Sequence, residues 1–165
     1  SLRALLRDVA KQIEDPRGGS VYDRWRAAAN LASDTLEPPM GDPGGGSDFA
    51  GFYNHLGIPH ADWGFGGGGG VYHSAYDSYA WMNRFGDPGF TYHAMAARVG
   101  TVMMLRLANA DILPYDYVEY ARTMRRYLPS LERAIATAGG GIDVAPLAAS
   151  FQRMEAAARR SLAAW

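Results

Sequence analysis

Helical periodicity dominates the sequence after Pro88, and it limits the possible folds more than any other feature of the chain. Residues 91–109 are apolar on most faces, so we expect a buried helix there. Further amphipathic segments begin at Asp116 and at Asp143, where an acidic side chain can cap the first turn. The second half of the chain is therefore predicted to form a helical hairpin or bundle, with the long helix before it as a third member.

A proline interrupts the segment that begins at Asp116. Pro129 has no backbone N–H to donate, and its ring would clash with the carbonyl of Arg125, four residues earlier. We therefore expect a kink or a break directly after Arg126 and Tyr127. The glycines at 139–141 should then end the helix.

The first half of the chain contains more glycine and proline and predicts shorter helices. Helical spacing over residues 2–13 indicates one amphipathic helix, and Ser20 with Asp23 indicates a weak cap for a second. A third helix should open at Asp48 and end at Gly57, because glycine favours the left-handed cap that closes a helix.

One short strand is expected before the glycine run 66–70. Ala61, Trp63 and Phe65 alternate with polar or small residues, which is typical of a strand with one face buried. This is the only strand that the sequence predicts. The expected fold class is therefore mainly α.

Composition excludes several classes of function. The chain has 165 residues, of which 48% are hydrophobic and 20% charged, and its formal net charge is -1. This balance is ordinary for a globular domain and gives no basic surface for nucleic acid. The most apolar run, residues 99–107, contains Arg106 and is far shorter than the roughly 20 residues of a membrane span. Without cysteine, no disulfide or thiolate ligand is available.

The loop around His73 is the strongest candidate for chemistry. A histidine behind a glycine run, with Tyr72 and Ser74 on either side, is well placed to present its ring to a cleft. The simpler alternative is a loop histidine that bonds a backbone carbonyl. Zinc needs about three protein ligands, so His73 by itself would be only part of a metal site.

The wider pattern resembles a known family. Tyr72-His73-Ser74-Ala75-Tyr76-Asp77-Ser78, followed by Phe85-Gly86-Asp87-Pro88, is similar to the histidine loop of the co-catalytic zinc exopeptidases of the glutamate carboxypeptidase II and transferrin receptor family. The resemblance covers nearly all of the chain. It implies that residues 1–90 are the C-terminal portion of an α/β peptidase domain with little strand. Residues 91–165 would be a transferrin receptor-like helical dimerisation domain.

The resemblance also implies roles for the loop residues. His73 would ligate one of two zinc ions, and the hydroxyl of Tyr72 would hydrogen-bond the oxyanion of the tetrahedral intermediate. The other zinc ligands and the general base have no match in this chain and are expected upstream, in a missing N-terminal part of the peptidase. Asp77 would either accept a hydrogen bond from a zinc ligand or cap a helix, and the sequence leaves both open.

Two further segments are similar to substrate contacts of the family. Gly46 and Ser47 lie in a turn that resembles the one lining the pocket for the residue before the scissile bond, or they simply precede a helix. Arg126 and Tyr127 stand where a basic-aromatic pair holds the free carboxylate of the substrate, or they are an exposed arginine beside a core tyrosine. In one branch of the family, an arginine patch that favours acidic residues follows the position of Gly57 and Ile58. Residues 59–63 of this chain contain no arginine, so the resemblance does not imply that preference here.

The function expected from the resemblance is that of a C-terminal fragment of a zinc-dependent exopeptidase, inactive alone and forming a homodimer. Its zinc and its peptide substrate would belong to the intact parent, and no nucleic acid or membrane span is expected. The opening of the chain within a helical pattern, without an initiator methionine, also favours a fragment. The compartment stays open, although the family implies an extracytoplasmic one. The rival interpretation is a non-catalytic dimerisation module like that of transferrin receptor.

Overall fold

Helices form almost all of the regular structure. The computed structural model describes residues 2–33, 35–42, 44–66 and 70–163. The helices are α1 (Arg3–Gln12), α2 (Val21–Ala28), α3 (Phe49–Leu56), α4 (Tyr79–Trp81, continued by a π-helical turn over Met82–Gly86), α5 (Thr91–Ala108), α6 (Tyr117–Arg126), α7 (Leu128–Thr137) and α8 (Ala145–Ala163). The prediction of a mainly α fold is confirmed. None of these helices is long and apolar enough to cross a membrane.

The chain divides into two compact units. One comprises Leu5–Pro114, and the other joins the residues up to Ala4 with those from Tyr115 onward. The division into a peptidase part over residues 1–90 and a dimerisation part over residues 91–165 stays a prediction.

The Leu5–Pro114 unit is built on α1, α2 and α5. Its most deeply buried side chains include Val9 of α1 and Met95, Val99 and Met103 of α5. These three residues of α5 are spaced four apart and therefore lie on one face of the helix. The expectation that α5 is buried on most faces is wrong, because the next residue, Met104, is 67% exposed.

The connection from α1 to α2 is a tight turn closed by a short antiparallel bridge. Glu14 and Ser20 form the isolated bridge, and the Oγ of Ser20 accepts a hydrogen bond of 3.0 Å from the backbone N of Asp23. The Asp23 carboxylate accepts in return from the backbone N of Ser20 at 2.9 Å. This reciprocal capping box confirms the predicted start of α2.

The strand expected at Ala61, Trp63 and Phe65 is not present in the described part of the chain, where residues 61–66 have no regular structure. The indole of Trp63 instead lies on α5 and donates from Nε1 to the carbonyl of Ala96 at 3.4 Å. A Cβ added to Gly100 would lie 3.1 Å from the Trp63 ring, so this glycine permits the close approach. Residues 67–69 of the glycine run lie outside the described ranges.

The C-terminal unit pairs α6 with α8. The carboxylate of Asp116 caps α6 by accepting from the backbone N of Glu119 at 2.7 Å, as predicted. Tyr127 separates α6 from α7, and Pro129 stands in the first turn of α7, which confirms the predicted break.

A carboxylate of α8 forms ion pairs with two arginines of α6. Glu155 of α8 accepts from Arg122 at 3.1 Å and from Arg125 at 3.0 Å, both on α6, and from Arg159 one turn later at 2.8 Å. The amphipathic segment predicted to begin at Asp143 was expected to continue to Trp165, which lies outside the described residues.

Candidate functional site

Tyr72 and His73 lie in an irregular loop between α3 and α4. The loop is closed by Ser74, whose backbone N and Oγ donate to the carbonyl of Val71 at 3.0 Å and 2.7 Å. His73 has a φ of 58°, in the left-handed region that non-glycine residues seldom adopt. Its ring stacks on that of Tyr72 with the centroids 3.8 Å apart. The loop therefore holds the two candidate rings against each other, with the backbone of His73 in the left-handed region.

The rings of Tyr72 and His73 are both exposed to solvent. Tyr72 is 78% exposed, and His73 is also exposed. In the part of the chain that the structure describes, no group of three or more His, Cys, Asp and Glu residues could hold a metal ion. His73 supplies one nitrogen donor, so the donor set fits a zinc site only if other ligands come from elsewhere.

An open cleft lies beside Tyr72, within the Leu5–Pro114 unit. Its volume is about 620 Å³. Its lining combines aromatic and charged side chains with the apolar side chains of Val71, Met82 and Ala96; the aromatic and charged ones are Phe65, Tyr72, Trp81, Tyr92, Asp77, Asp87, Arg17 and His93. His73 is not among the lining residues. Tyr72, the predicted oxyanion donor, therefore lies on the wall of a cleft that contains aromatic, charged and apolar side chains.

Asp87 organises the end of the cleft at the start of α5. Phe90 occupies the N-cap position of α5 but forms no side-chain cap hydrogen bond. The Asp87 side chain caps the first backbone amides of the helix instead. Its carboxylate accepts from the backbone N of Tyr92 at 3.2 Å and from that of His93 at 2.9 Å. Its Oδ2 atom also lies 2.7 Å from Nδ1 of the His93 ring. Burial raises the pKa of Asp87, but the hydrogen bonds from His93 and Tyr92 outweigh it and hold the pKa below its usual range.

Arg17 enters the same cleft from the turn between α1 and α2. Its Nε donates to Oδ1 of the buried carboxylate of Asp15 at 3.2 Å, and its guanidinium lies 5.7 Å from the centroid of the Tyr92 ring. Burial disfavours the charged form of Asp15, yet the bonds from Arg17 lower its pKa. The positive charge that Arg17 brings to the cleft is thus paired with a fixed negative charge behind it.

Asp77 is an exposed carboxylate on the wall of the cleft. It does not cap the following helix, because Ser78 takes the N-cap position of α4 and its Oγ accepts from the backbone N of Trp81 at 3.3 Å. The helix-cap alternative for Asp77 is therefore wrong, and its role as a hydrogen-bond acceptor for a zinc ligand stays a prediction. Among the described residues, the Asp77 carboxylate has no hydrogen-bond or ion-pair partner.

Gly46 and Ser47 precede α3. Gly46 has a φ of 97°, which glycine adopts without strain, and the carbonyl of Ser47 accepts from the backbone N of Ala50 at 3.0 Å. Asp48 occupies the N-cap position of α3 without a side-chain cap hydrogen bond, and Gly57 ends the helix with a φ of 66°. The predicted bounds of α3 are confirmed. The substrate role of Gly46 and Ser47 stays a prediction.

Arg126 and Tyr127 belong to the C-terminal unit, at the join of α6 and α7. The guanidinium of Arg126 donates from Nη2 to Oγ1 of Thr123 at 2.9 Å. Tyr127 is 42% exposed, so it is not a core tyrosine. The substrate-carboxylate role of this pair stays a prediction.

Sequence reasoning missed His93, which had no ligand spacing to another histidine. The available signal was Asp87, six residues earlier and just before the start of the long helix. A carboxylate at that position can accept from the first amides of the helix and from a side chain in its first turn. The same kind of signal does not exist for Arg17, which reaches the cleft from a distant turn.

Several proteins are similar to this chain over most of its length. It is 36% identical over 160 residues to a probable glutamate carboxypeptidase, LAMP1, of Arabidopsis thaliana. The aligned region is 96% of this chain and 22% of that protein. The chain is 29% identical over 171 residues to the aminopeptidase NAALADL1 of Rattus norvegicus, covering 95% and 23%. A probable glutamate carboxypeptidase of Arthroderma benhamiae is 37% identical over 144 residues, covering 82% and 19%.

The chain thus spans about a fifth of the length of the curated relatives it matches. No family model and no solved structure matches it.

Proposed function

Because this chain is homologous to a segment of the glutamate carboxypeptidase-like proteins, we propose that it is one part of a zinc-dependent exopeptidase. The observation that supports the proposal most is the similarity over 82% to 96% of the chain to proteins named as peptidases. The rest of the enzyme, with the other metal ligands, would lie in the remaining length that those relatives have and this chain lacks. The chain alone is then inactive.

His73 is the zinc ligand that this segment contributes. Its exposed ring on a fixed loop is suited to ligation, because neither packing nor a helix backbone blocks its approach to a metal. The zinc, when bound, would polarise the scissile carbonyl and activate a water molecule. One histidine binds zinc only weakly, so the chain by itself should not bind the ion stoichiometrically at low micromolar concentration.

Tyr72 would act on the charge that develops in the reaction. Its phenol borders the cleft, and an O–H fixed there can donate to an oxyanion in the transition state. Gly46 and Ser47 would line the pocket on one side of the scissile bond. Arg126 with Tyr127 would bind the free carboxylate of the substrate, since arginine pairs with carboxylates in a bidentate manner.

The C-terminal unit would supply a homodimer contact. Large apolar side chains are exposed there, among them Ile142 at 71%, Leu162 at 61% and Leu131 at 40%. A two-fold contact is the commonest way to cover such a surface. The same exposure also supports the alternative, a non-catalytic dimerisation module like that of transferrin receptor.

Zinc content and peptide hydrolysis by the full-length protein that contains this chain test the proposal. His73→Ala should abolish turnover and reduce bound zinc, whereas His55→Ala, an exposed histidine on α3, should change neither. A wild-type protein that dimerises but neither binds zinc through His73 nor hydrolyses peptides would overturn the peptidase proposal and support the alternative.

Light scattering over a range of concentrations tests the dimer. Leu162→Glu should shift the chain toward the monomer, because it places a charge in the proposed contact. A protein that is monomeric at all concentrations would contradict the homodimer in either function.

A further inference from the structure

We propose that Trp63 is a positioning residue for the candidate cleft: its indole, held on α5, fixes the part of the cleft wall that Phe65 forms. This role rests on the proposed function, because it treats the cleft beside Tyr72 as the place where a peptide binds. The contacts that carry it are all formed within the Leu5–Pro114 unit.

Two independent contacts place the Trp63 indole on one turn of α5. Its Nε1 atom donates to the carbonyl of Ala96 at 3.4 Å. A Cβ added to Gly100 would lie 3.1 Å from Cζ2 and 3.6 Å from Cη2 of the ring, so the indole occupies the space that a larger residue would take. Residues four apart lie one above the other on a helix, and Ala96 and Gly100 therefore form one site for the ring.

The same turn of α5 belongs to the wall of the cleft. Ala96, whose carbonyl accepts from Trp63, lines the cleft together with Phe65 and Gly66. The anchor of the indole and the surface that a bound peptide would meet thus share a residue.

Phe65 depends on this anchor for its place in the wall. It follows Trp63 by two residues in a segment without regular structure, so neither a helix nor a strand fixes it. Two residues of extended chain span only about 7 Å, and the position of the indole therefore limits that of the Phe65 ring. In the described part of the chain, the bond from Trp63 is the hydrogen bond that joins residues 61–66 to a helix.

The loop of Tyr72 and His73 is held by other bonds. The backbone N and Oγ of Ser74 donate to the carbonyl of Val71 at 3.0 Å and 2.7 Å, and neither bond involves Trp63. A displacement of the indole should therefore move Phe65 and leave Tyr72 and His73 in place. We expect Trp63 to act on substrate binding and not on the chemical step.

A tryptophan that only stabilised the fold would give a different kinetic result. Its replacement would reduce the fraction of folded protein, which lowers the maximal rate per mole of protein and leaves KM unchanged. Loss of positioning alters the cleft wall of the folded protein, and this raises KM while kcat stays the same.

Steady-state kinetics of the full-length protein test the role with Trp63→Phe, which removes the indole N–H and the ring atoms near Gly100. We expect KM for peptides to rise about threefold to tenfold, the value of one aromatic contact, with kcat unchanged. Trp25→Phe is the matched control, because Trp25 is a half-buried tryptophan of α2 and is not among the lining residues of the cleft. An unchanged KM in Trp63→Phe, or an equal rise in Trp25→Phe, would overturn the proposal.

A second measurement does not depend on peptidase activity. Gly100→Ala places a methyl group against the indole, and the variant should fold because alanine favours a helix interior more than glycine does. NMR spectra of this chain should then show shifted resonances of the Phe65 ring. The same substitution in the Trp63→Phe background should not shift them, since the smaller ring leaves room for the methyl group. Equal shifts in the two backgrounds, or none in either, would contradict the anchor.

The two measurements separate this inference from the proposed function. If the full-length protein hydrolyses peptides with the same KM in Trp63→Phe as in the wild type, the peptidase stands and the positioning role is wrong. If the Phe65 shifts depend on Trp63 in a protein that hydrolyses no peptide, the anchor stands and the peptidase is wrong.

Discussion

The Nδ1 atom of His93 lies 2.7 Å from Oδ2 of Asp87, and the same carboxylate oxygen accepts from the backbone N of His93 at 2.9 Å. One side chain thus binds both the ring and the backbone of a single residue in the first turn of α5. The orientation of His93 at the cleft and the start of the longest helix of the Leu5–Pro114 unit depend on the same carboxylate.

The first prediction concerns Asp87→Asn and pH. The pKa of Asp87 is lower in the folded state than its ordinary value, so the stability that its charge contributes is present above about pH 3.9 and is lost as the pH falls through the folded-state pKa. The variant should be less stable than the wild type at pH 7 and should approach it at acidic pH. Chemical denaturation from pH 2.5 to pH 7 measures this difference.

Asp62→Asn serves as the control for Asp87→Asn, because Asp62 is an exposed carboxylate in a loop of the same unit. Its pH profile should follow that of the wild type. A parallel shift of the Asp87→Asn curve at every pH would contradict the role given to the charge.

The second prediction concerns Tyr72→Phe in the full-length protein. Removal of the hydroxyl should lower kcat roughly tenfold to a thousandfold with little change in KM, because an oxyanion donor acts mainly in the transition state. Tyr76→Phe is a close control, since the two tyrosines belong to one loop and are 78% and 76% exposed. Steady-state kinetics in which both variants behave alike would remove Tyr72 from the mechanism.

The third prediction concerns the cap of α2. Ser20→Ala removes the side-chain acceptor for the backbone N of Asp23 and should cost about 1 kcal/mol of unfolding free energy. Denaturant titration measures the loss. Ser161→Ala, an exposed serine within α8, should be neutral or slightly stabilising because alanine favours the helix interior. Equal effects of the two substitutions would speak against the capping box.

The fourth prediction concerns Gly86, at the end of the π-helical turn. A Cβ there would lie 2.5 Å from Sδ of Met82 and 2.6 Å from Cζ3 of Trp81, so Gly86→Ala must move both side chains or shift the backbone. We expect a loss of about 1–3 kcal/mol, typical of overpacking, and a change in tryptophan fluorescence. Gly51→Ala in α3 meets nothing within 4 Å and should stabilise the protein instead. A Gly86→Ala variant as stable as the wild type would refute the crowding.

Local signals in the sequence predicted most of the helix ends. Asp116, Pro129 and Gly57 act through hydrogen bonds and backbone angles within a few residues, so their effects can be deduced from the sequence alone. They fixed the start of α6, the break before α7 and the end of α3.

Contacts between distant residues could not be predicted in the same way. The alternation of residues around Trp63 indicated a strand, but a strand needs a neighbouring strand to pair with. The Trp63 indole instead donates a hydrogen bond to the carbonyl of Ala96, 33 residues later. Arg17 reaches the cleft from a turn far from Asp77 in sequence. The left-handed conformation of His73 was also not foreseeable, because histidine, although enriched in that region relative to most residues, adopts it only in a minority of cases.

Because of the ion-pair cluster around Glu155, substitutions at its four members should have unequal effects on the C-terminal unit. Three guanidinium groups, from Arg122, Arg125 and Arg159, share one acceptor whose side chain is 13% exposed. Replacement of any one of these arginines would leave Glu155 with two ion-pair partners, whereas replacement of Glu155 would remove the acceptor that all three share. A neutral residue in place of Glu155 would therefore leave three like charges gathered where α6 meets α8, without the carboxylate that they share.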